Sequence, residues 1–217
     1  DHINGMTMPP SISLKNAFSY ATRFEWLFNM MRHPDFKLAN IAHRVDALDR
    51  GAMGLIEYVN SQFDRTVTWD DVTVLAQQWN GPLVIKGLQS PEDAKRALSI
   101  GASALMVSNH GGRQLDGAPA PIDCIAPIRD AIGDQLELIV DGGIRRGTHI
   151  IKALALGANA CSIGRPYVYG LAAGGQQGVE HALTLLRNEL ELSMALLGVS
   201  SIAEINGSHL LNRHFSE

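Results

Sequence analysis

The sequence has few cysteines and no excess of positive charge. Cys124 and Cys161 are the only two cysteines among 217 residues, and neither belongs to a closely spaced pair of the kind that binds metals. Because two separated cysteines do not make a disulfide framework, we expect buried thiols in a reducing compartment, which favours a cytoplasmic location. The 18 Lys and Arg residues are outnumbered by 22 Asp and Glu residues, and this net charge of −4 argues against nucleic acid as a partner.

Long apolar segments and metal-binding patterns are absent as well. We find no signal peptide and no apolar run that could cross a bilayer. Seven of the eight histidines lack the spacing of metal ligands, so we expect structural or surface roles for them and no bound metal. These are His2, His33, His43, His149, His181, His209 and His214. Because the chain begins at Asp1 rather than at methionine, we expect further residues upstream.

A repeated strand–loop–helix pattern fills residues 82–197. Four short apolar runs predict strands that are buried on both faces. They lie at residues 82–86, 104–108, 137–141 and 160–164. One predicted helix begins at the N-cap Ser90 and ends at Gly101, and another covers residues 147–156 and ends at Gly157.

Alternating strands and helices predict an α/β fold with a parallel sheet, either in a βα barrel or in a doubly wound Rossmann fold. Chemically active side chains lie at or just after the end of each strand: Lys86, His110, Asp141 and Arg165. Sites assembled from the carboxyl ends of successive strands are typical of the TIM barrel. Since no GxGxxG segment opens a helix, the Rossmann alternative is weaker, and we predict a TIM (βα)8 barrel.

The chain contains only about the last four βα units of such a barrel. No strand is predicted before residue 82, whereas a complete barrel has eight strands. We therefore assign residues 68–217 to the C-terminal half of the barrel, beginning with a helix from Thr68 to about Trp79. The N-terminal half-barrel is then missing or supplied by another chain, because four barrel strands alone leave two open edges.

Residues 1–67 lack a regular pattern and are predicted to form a variable loop or lid with one helical segment. A helix over residues 16–33 would place Phe24, Leu27, Phe28 and Met31 on one face. We interpret it as a lid or packing helix. The alternative is peripheral contact with the inner face of a membrane, since the segment also carries positive charge.

The most informative stretch is SNHGGRQLD at residues 108–116. It leaves a buried strand as a glycine-rich loop that carries His110 and Arg113 three residues apart. Imidazole can take a proton near neutral pH, and guanidinium can bind a carboxylate through two parallel hydrogen bonds. Together these groups could hold a small acid and remove a proton from it.

Three further elements suit an anionic cofactor. Lys86 ends the strand in VIKG, either as a rim lysine or as a cation that faces an electron-rich cofactor. The segment DGGIRRG at 141–147 opens a helix, where free N–H groups favour phosphate, although tight turns use the same residues. Gly164 and Arg165 begin the next helix and add a second guanidinium.

The four motifs occur in the order VIKG, SNHGGRQLD, DGGIRRG and GRP. In order and spacing they resemble the FMN-dependent L-2-hydroxy-acid oxidase and dehydrogenase family, which includes L-lactate dehydrogenases, lactate and glycolate oxidases and mandelate dehydrogenase. The resemblance is strong over about residues 68–212, while residues 6–66 match a variable segment that is membrane-associated in some members. Because family members are often tetramers, the resemblance also implies a homo-oligomer.

The resemblance implies FMN as the cofactor and a role for each motif residue. Lys86 would face the pyrimidine edge of the flavin, and Ser108 would contact the flavin. His110 would be the catalytic base, and Arg113 would bind the substrate carboxylate. The ribityl chain and phosphate of FMN would be surrounded by Asp141, Gly142, Gly143, Arg145, Gly164 and Arg165.

The implied reaction is oxidation of a small L-2-hydroxy acid, above all L-lactate, to the 2-oxo acid. His110 would take a proton while two electrons reach the flavin. The family also uses side chains from the first half of the barrel, and these are absent here. One alternative is therefore a catalytically incomplete half-barrel that binds FMN, another phosphate ligand or a partner half without turnover. Another phosphate-binding barrel enzyme is a second alternative, which the His-Gly-Gly-Arg string argues against.

Overall fold

The strongest apolar runs in the sequence form one parallel sheet. A computed structural model describes residues 61–211 together with Thr22, Phe24, Phe28, Met31, Arg32 and Tyr58. The chain divides into two compact units, Asp1–Val67 and Thr68–Glu217. The second unit carries the sheet, and its strands are β1 (Val84–Lys86), β2 (Ala104–Ser108), β3 (Glu137–Asp141) and β4 (Ala160–Ser162).

Helices connect the strands in strict alternation. They are α1 (Trp69–Gln78), α2 (Pro91–Ser99), α3 (Pro121–Ile132), α4 (Gly147–Ala155) and α5 (Arg165–Leu197). Short 3-10 turns cover His110–Gly112, Gly133–Gln135, Ile202–Glu204 and Gly207–His209. Helix α5 is interrupted at Gly174 and Gly175, where the backbone leaves helical geometry.

The helix starts follow from local side-chain chemistry. Thr68 and Asp71 form a reciprocal capping box at α1, in which the Asp71 carboxylate accepts the Thr68 N–H at 2.7 Å. Ser90 caps α2 by accepting the Asp93 N–H at 3.1 Å, as predicted. Gly101 and Gly157 follow α2 and α4 with φ of 80° and 102°, the positive values that glycine adopts without a steric penalty.

All three strand pairings are parallel, and the strand order β1-β2-β3-β4 follows the chain order. A doubly wound Rossmann sheet reverses its strand order at a switch point, whereas a βα barrel adds each new strand beside the last. The order therefore confirms the predicted α/β barrel architecture with four βα units.

The central strands match their predicted bounds, and the outer strands are shorter than predicted. β1 begins at Val84 rather than at residue 82, because Pro82 has no N–H to donate to a ladder. β4 ends at Ser162 rather than at residue 164, because Gly164 is already the N-cap residue of α5. Both strands pair on one side only within the described part of the chain.

The core lies between the sheet and helices α2, α3 and α4. The largest fully buried side chains of β2 and β3 are spaced two residues apart and so share one face of the sheet, and those of α3 form one apolar face. They include Leu105, Val107, Leu138, Val140, Ile125, Ile128 and Ile132, each at most 1% exposed. The prediction of burial on both faces is wrong for β1, β3 and β4, because the other residues of these strands are exposed or only partly buried. Burial of Leu105 and Val107 on β2 holds the strand end that carries Ser108 in a fixed position.

The amino ends of β3 and β4 are joined by Arg129 of α3. Its guanidinium donates to the Gly157 carbonyl at 2.9 Å and to the Asn159 Oδ1 at 2.6 Å. Asn159 Oδ1 in turn accepts the Leu138 N–H at 2.8 Å. Since the side chain of Arg129 is only 14% exposed, these contacts form a semi-buried polar support at the end of the sheet opposite Lys86 and Asp141.

Candidate active site

The carboxyl ends of all four strands meet at one edge of the sheet. The last residues of the strands are Lys86, Ser108, Asp141 and Ser162. The register pairs Ser108 with Asp141 and Asp141 with Ser162, so short side chains on adjacent strands can reach one another. Lys86 pairs with Met106 of β2, two residues before Ser108, and its long side chain reaches across this offset.

Asp141 is the centre of a hydrogen-bond network at this edge. The Lys86 ammonium donates to Asp141 Oδ2 at 2.7 Å, and the Ser108 hydroxyl donates to the same oxygen at 2.7 Å. Lys86 also donates to the Ser108 oxygen at 3.3 Å. Ser108 is fully buried, which fixes its hydroxyl between the two charged groups. The structure thus brings together three of the predicted cofactor residues and gives Lys86 an anionic partner.

The network also determines the charge of Asp141. Burial alone would raise the pKa of this carboxyl, but hydrogen bonds from Lys86, Ser108 and Ser162 and the charge of Lys86 outweigh that effect. The pKa of Asp141 therefore lies below its ordinary value, and the group is a carboxylate at neutral pH. Lys86 and Asp141 together form an ion pair rather than an isolated cation.

His110 begins a turn with unusual backbone geometry. Its φ of 56° makes it the one non-glycine residue with positive φ in the described part of the chain, and Gly111 and Gly112 follow at 70° and 69°. A left-handed conformation costs an L-residue roughly 1–2 kcal/mol. The Ser108 hydroxyl offsets this cost by accepting the His110 N–H at 3.0 Å. One buried hydroxyl thus links the Lys86–Asp141 pair to the predicted base.

Gly87 is a site residue whose role the sequence did not reveal. A Cβ at Gly87 would lie 2.8 Å from Cε1 of His110, so the Gly87 backbone lies against the imidazole. Its φ of 98° also disfavours any other residue. A glycine directly after a buried strand was the available signal, because such glycines often mark a close approach.

Arg113 ends the same turn, three residues after His110, and its side chain is exposed. Asn109 stabilises the turn from inside: its Oδ1 accepts the Gly112 N–H at 3.1 Å, and its Nδ2 donates to the Pro119 carbonyl at 3.3 Å. Asn109 is a second residue for which sequence reasoning named no role. The turn therefore presents an imidazole and a guanidinium from a defined backbone.

The DGG loop turns through two glycines with positive φ. Gly142 and Gly143 have φ of 122° and 78°, and a Cβ at Gly143 would meet no atom within 4 Å. The Arg145 side chain is exposed and contacts no other predicted site residue among those described. His149 supports the loop, as expected for a structural histidine: its Nδ1 lies 3.2 Å from the Gly143 carbonyl and 3.3 Å from the Arg145 N.

The expectation of free N–H groups at the start of α4 needs a correction. Glu189 of α5 accepts the Gly147 N–H at 2.8 Å and pairs with Arg146 at 2.9 Å. The backbone hydrogen bond from Gly147 lowers the pKa of Glu189, so a protein carboxylate already occupies the positive end of the helix. The Gly147 N–H is therefore not available to a phosphate.

The start of α5 offers a second loop next to the first. Gly164 is the N-cap residue and provides no side-chain cap, and a Cβ there would meet no atom within 4 Å. The Arg165 guanidinium donates to the Gly111 carbonyl at 2.9 Å. The structure thus brings the last predicted cofactor residue into contact with the turn that begins at His110.

Comparisons with known proteins agree with this geometry. The sequence matches the family of FMN-dependent dehydrogenases over residues 1–212. The chain belongs to the FMN-dependent dehydrogenase family. The resemblance found in the sequence motifs is therefore confirmed, and FMN is the cofactor of this family. The open space beside Gly143 and Gly164, the exposed Arg145 and the Lys86 ammonium suit a ligand with a phosphate and an electron-rich ring.

The matches cover most of this chain but about half of each relative. L-lactate oxidase from Nostoc sp. is 51% identical over 160 residues, which are 74% of this chain and 44% of the oxidase. L-lactate dehydrogenase from Caulobacter vibrioides is 43% identical over 188 residues, or 87% of this chain and 49% of that protein. The solved structure of the monotopic membrane protein (S)-mandelate dehydrogenase matches with a TM-score of 0.89 at 35% identity. The match covers 98% of this chain and 56% of the dehydrogenase chain.

Two negative findings concern the part of the chain that is described. Within it, no group of three or more His, Cys, Asp or Glu side chains is arranged to hold a metal ion. None of its helices has the length and apolar character needed to cross a membrane.

Cys124 and Cys161 are both unpaired, and burial raises the pKa of Cys161 to about 11. Both thiols are therefore protonated at neutral pH.

Proposed function

We propose that this protein oxidises a small L-2-hydroxy acid, with L-lactate as the first candidate, to the corresponding 2-oxo acid. The observation that carries the proposal is the link from the Lys86–Asp141 ion pair through Ser108 to the strained turn at His110. Strained turns persist where the surrounding structure fixes them, and they occur frequently at active sites. The names of the Nostoc and Caulobacter relatives, an L-lactate oxidase and an L-lactate dehydrogenase, point to the same substrate.

Each side chain has a chemical task in this proposal. Arg113 binds the substrate carboxylate through its planar fork and thereby orients the hydroxyl-bearing carbon. His110 accepts a proton from the substrate, for which its imidazole must be unprotonated. Bound FMN supplies the two-electron acceptor. The Lys86 ammonium, held by Asp141, would donate a hydrogen bond to an electron-rich cofactor ring bound at this edge of the sheet.

A product assay with matched variants tests the assignment of the base. FMN-loaded protein should form the 2-oxo acid from L-lactate and not from D-lactate. His110→Gln should abolish product formation, whereas His181→Gln, the same change at an exposed position of α5, should not. Product formation by His110→Gln at the wild-type rate would refute the role of His110.

We also propose that a first half-barrel completes the site. The chain spans about half the length of the relatives it matches, and β1 and β4 each pair on one side only in the described structure. An unpaired strand edge presents N–H and C=O groups that favour pairing with further strands. The competing candidate is a half-barrel that binds FMN or a partner half without turnover. Its signature would be retained flavin and no 2-oxo acid.

Peripheral membrane contact through residues 16–33 is a further part of the proposal. Three apolar side chains that the structure describes in this segment are exposed, with Phe24 at 78%, Phe28 at 56% and Met31 at 71%. Arg32 adds a positive charge, 5.7 Å from the centroid of the Phe28 ring. This pairing of apolar and basic groups suits an anionic membrane surface. The solved structure that covers nearly the whole chain is itself a monotopic membrane protein.

Co-sedimentation with anionic phospholipid vesicles tests the membrane contact. Phe24→Ser combined with Met31→Ser should reduce binding, and Leu196→Ser, at a side chain of α5 that is 80% exposed, should not. If the double variant binds as tightly as the wild type, the segment is a lid or packing helix.

The homo-oligomer implied by the family resemblance stays a prediction, which light scattering on the purified protein can check.

A further inference from the structure

The turn at His110 is held by three kinds of contact. Two of them come from its own βα unit, namely the Ser108 hydroxyl and the Asn109 amide. The third comes from the start of α5, where Arg165 donates to the Gly111 carbonyl at 2.9 Å across 54 residues of sequence. Arg165 is thus the anchor that ties the turn to a different loop of the sheet edge.

The packing around this hydrogen bond is close. A Cβ on Gly111 would lie 3.3 Å from Nη2 and 3.7 Å from Cζ of Arg165, so the guanidinium lies against the turn and not only at its carbonyl. Gly111 has φ of 70°, within a run of three left-handed residues that begins at His110. Only His110 incurs a steric penalty in this run, because glycine adopts positive φ readily. Contacts from outside the run therefore hold His110 in place and restrict the two flexible glycines.

Arg165 can bind an anion while it keeps this contact. A guanidinium has five N–H donors in a fixed fork, and the Gly111 carbonyl accepts only one of them. The residue is the first of α5, directly after Gly164, whose α-carbon faces open space. A phosphate beside Gly164 would therefore immobilise the same guanidinium that anchors the turn.

We propose that Arg165 is a positioning residue that couples binding of the cofactor phosphate to the conformation of the turn His110–Arg113. This inference rests on the proposed function, because it takes FMN as the source of the phosphate. Phosphate binding reduces the freedom of the guanidinium, and the Gly111 carbonyl then has a fixed donor. His110 and Arg113 are therefore more ordered when the bound flavin carries its phosphate than when it lacks it.

Hydrogen exchange at the turn distinguishes this coupling from simple cofactor contact. Riboflavin carries the same ring and ribityl chain as FMN but no phosphate. At saturating flavin, FMN should slow amide exchange of residues 111–113 about tenfold more than riboflavin does, the effect of one hydrogen bond from a charged donor. Equal protection by the two flavins in the wild-type protein would overturn the proposal.

Two variants of Arg165 separate the coupling from phosphate affinity. Arg165→Lys keeps the charge, so FMN should still saturate the protein, but a single ammonium cannot serve both the phosphate and the Gly111 carbonyl in the same geometry. In Arg165→Lys and Arg165→Met, FMN and riboflavin should slow amide exchange of residues 111–113 equally. Arg146→Met is the matched control, because Arg146 pairs with Glu189 instead, and it should keep the difference.

The possible results point in distinct directions. If FMN still slows amide exchange at the turn more than riboflavin does in Arg165→Lys, the coupling is refuted while the proposed function stays intact. Failure of the wild-type protein to bind FMN at all would contradict the proposed function and this inference with it. Loss of the difference in both Arg165 variants but not in Arg146→Met would support the coupling.

Discussion

The ammonium of Lys86 lies 2.7 Å from the carboxylate of Asp141, although 55 residues separate the two in the sequence. The contact exists because both residues end strands of one parallel sheet, and β2, which carries Ser108, lies between them. The Ser108 hydroxyl connects the pair to the His110 backbone. One buried hydroxyl thus joins the groups assigned to the cofactor and to the base.

The Asp141 carboxylate should contribute to stability in a pH-dependent way. Its pKa lies below the ordinary value of 3.8 in the folded protein, so its contribution is fully present above that value and is lost as pH falls through the folded pKa. Acid unfolding curves of the wild type and Asp141→Asn should therefore converge at low pH and separate near neutrality. Asp130→Asn, at an exposed position of α3, should parallel the wild type throughout. A constant offset between wild type and Asp141→Asn at every pH would contradict this account.

Gly87→Ala should impair catalysis through the imidazole. The new methyl group would lie 2.8 Å from Cε1 of His110 and force the ring to move. Gly101→Ala is a matched control, because Gly101 also has a positive φ, 80°, but its Cβ would meet no atom within 4 Å. Both variants should lose about 1 kcal/mol of stability from backbone strain. Only Gly87→Ala should slow flavin reduction, by about tenfold or more. Equal rates in the two variants would show that the contact with His110 is unimportant.

Arg113→Lys should weaken substrate binding more than it slows turnover. The lysine keeps the positive charge but replaces a two-pronged contact with a point charge, so we expect KM for L-lactate to rise about tenfold with a smaller change in kcat. Steady-state kinetics on the FMN-loaded protein, with an artificial electron acceptor that reoxidises the flavin, measure both constants. Arg187→Lys on α5, where the side chain is 78% exposed and pairs with Glu191, serves as the control. An unchanged KM in Arg113→Lys would show that Arg113 does not bind the substrate carboxylate.

Arg129→Met should destabilise the fold without altering the site. The change removes the guanidinium donors of the Gly157 carbonyl and of Asn159 Oδ1, which keeps only the Leu138 N–H. This loss at a semi-buried position should cost about 3 kcal/mol. Arg96→Met removes a 62% exposed guanidinium of α2 and should cost less than about 1 kcal/mol. Urea unfolding of the FMN-free proteins gives both values. A loss in Arg129→Met no larger than in Arg96→Met would mean that the contacts of Arg129 are not structural supports.

The sequence was most informative for the two central strands. Strands β2 and β3 matched the predicted bounds because both neighbours of each are strands, so their apolar runs are uninterrupted. The ends of β1 and β4 were less predictable, since proline at one and a helix cap at the other shorten them. Three residues of the site motifs, Lys86, Ser108 and Asp141, end their strands and are in direct contact.

The contacts that the sequence did not reveal are those between distant helices and loops. Glu189 lies 42 residues from Gly147, and in the sequence it is one of several carboxylates on a helix that could face solvent. Only the packing of α5 against α4 brings it to the helix start. The contact of Arg165 with Gly111 is similar, because nothing in the GRP motif indicates which carbonyl the guanidinium reaches.

Anaerobic flavin spectra test the central claim most directly. When L-lactate is added without oxygen to the FMN-loaded wild-type protein, the visible absorbance of the flavin should bleach as two electrons leave the substrate. In His110→Gln the flavin should stay bound and stay oxidised, because no group takes the substrate proton. Rapid bleaching of His110→Gln, or a flavin that stays oxidised in the wild-type protein when the first half-barrel is also present, would contradict the account.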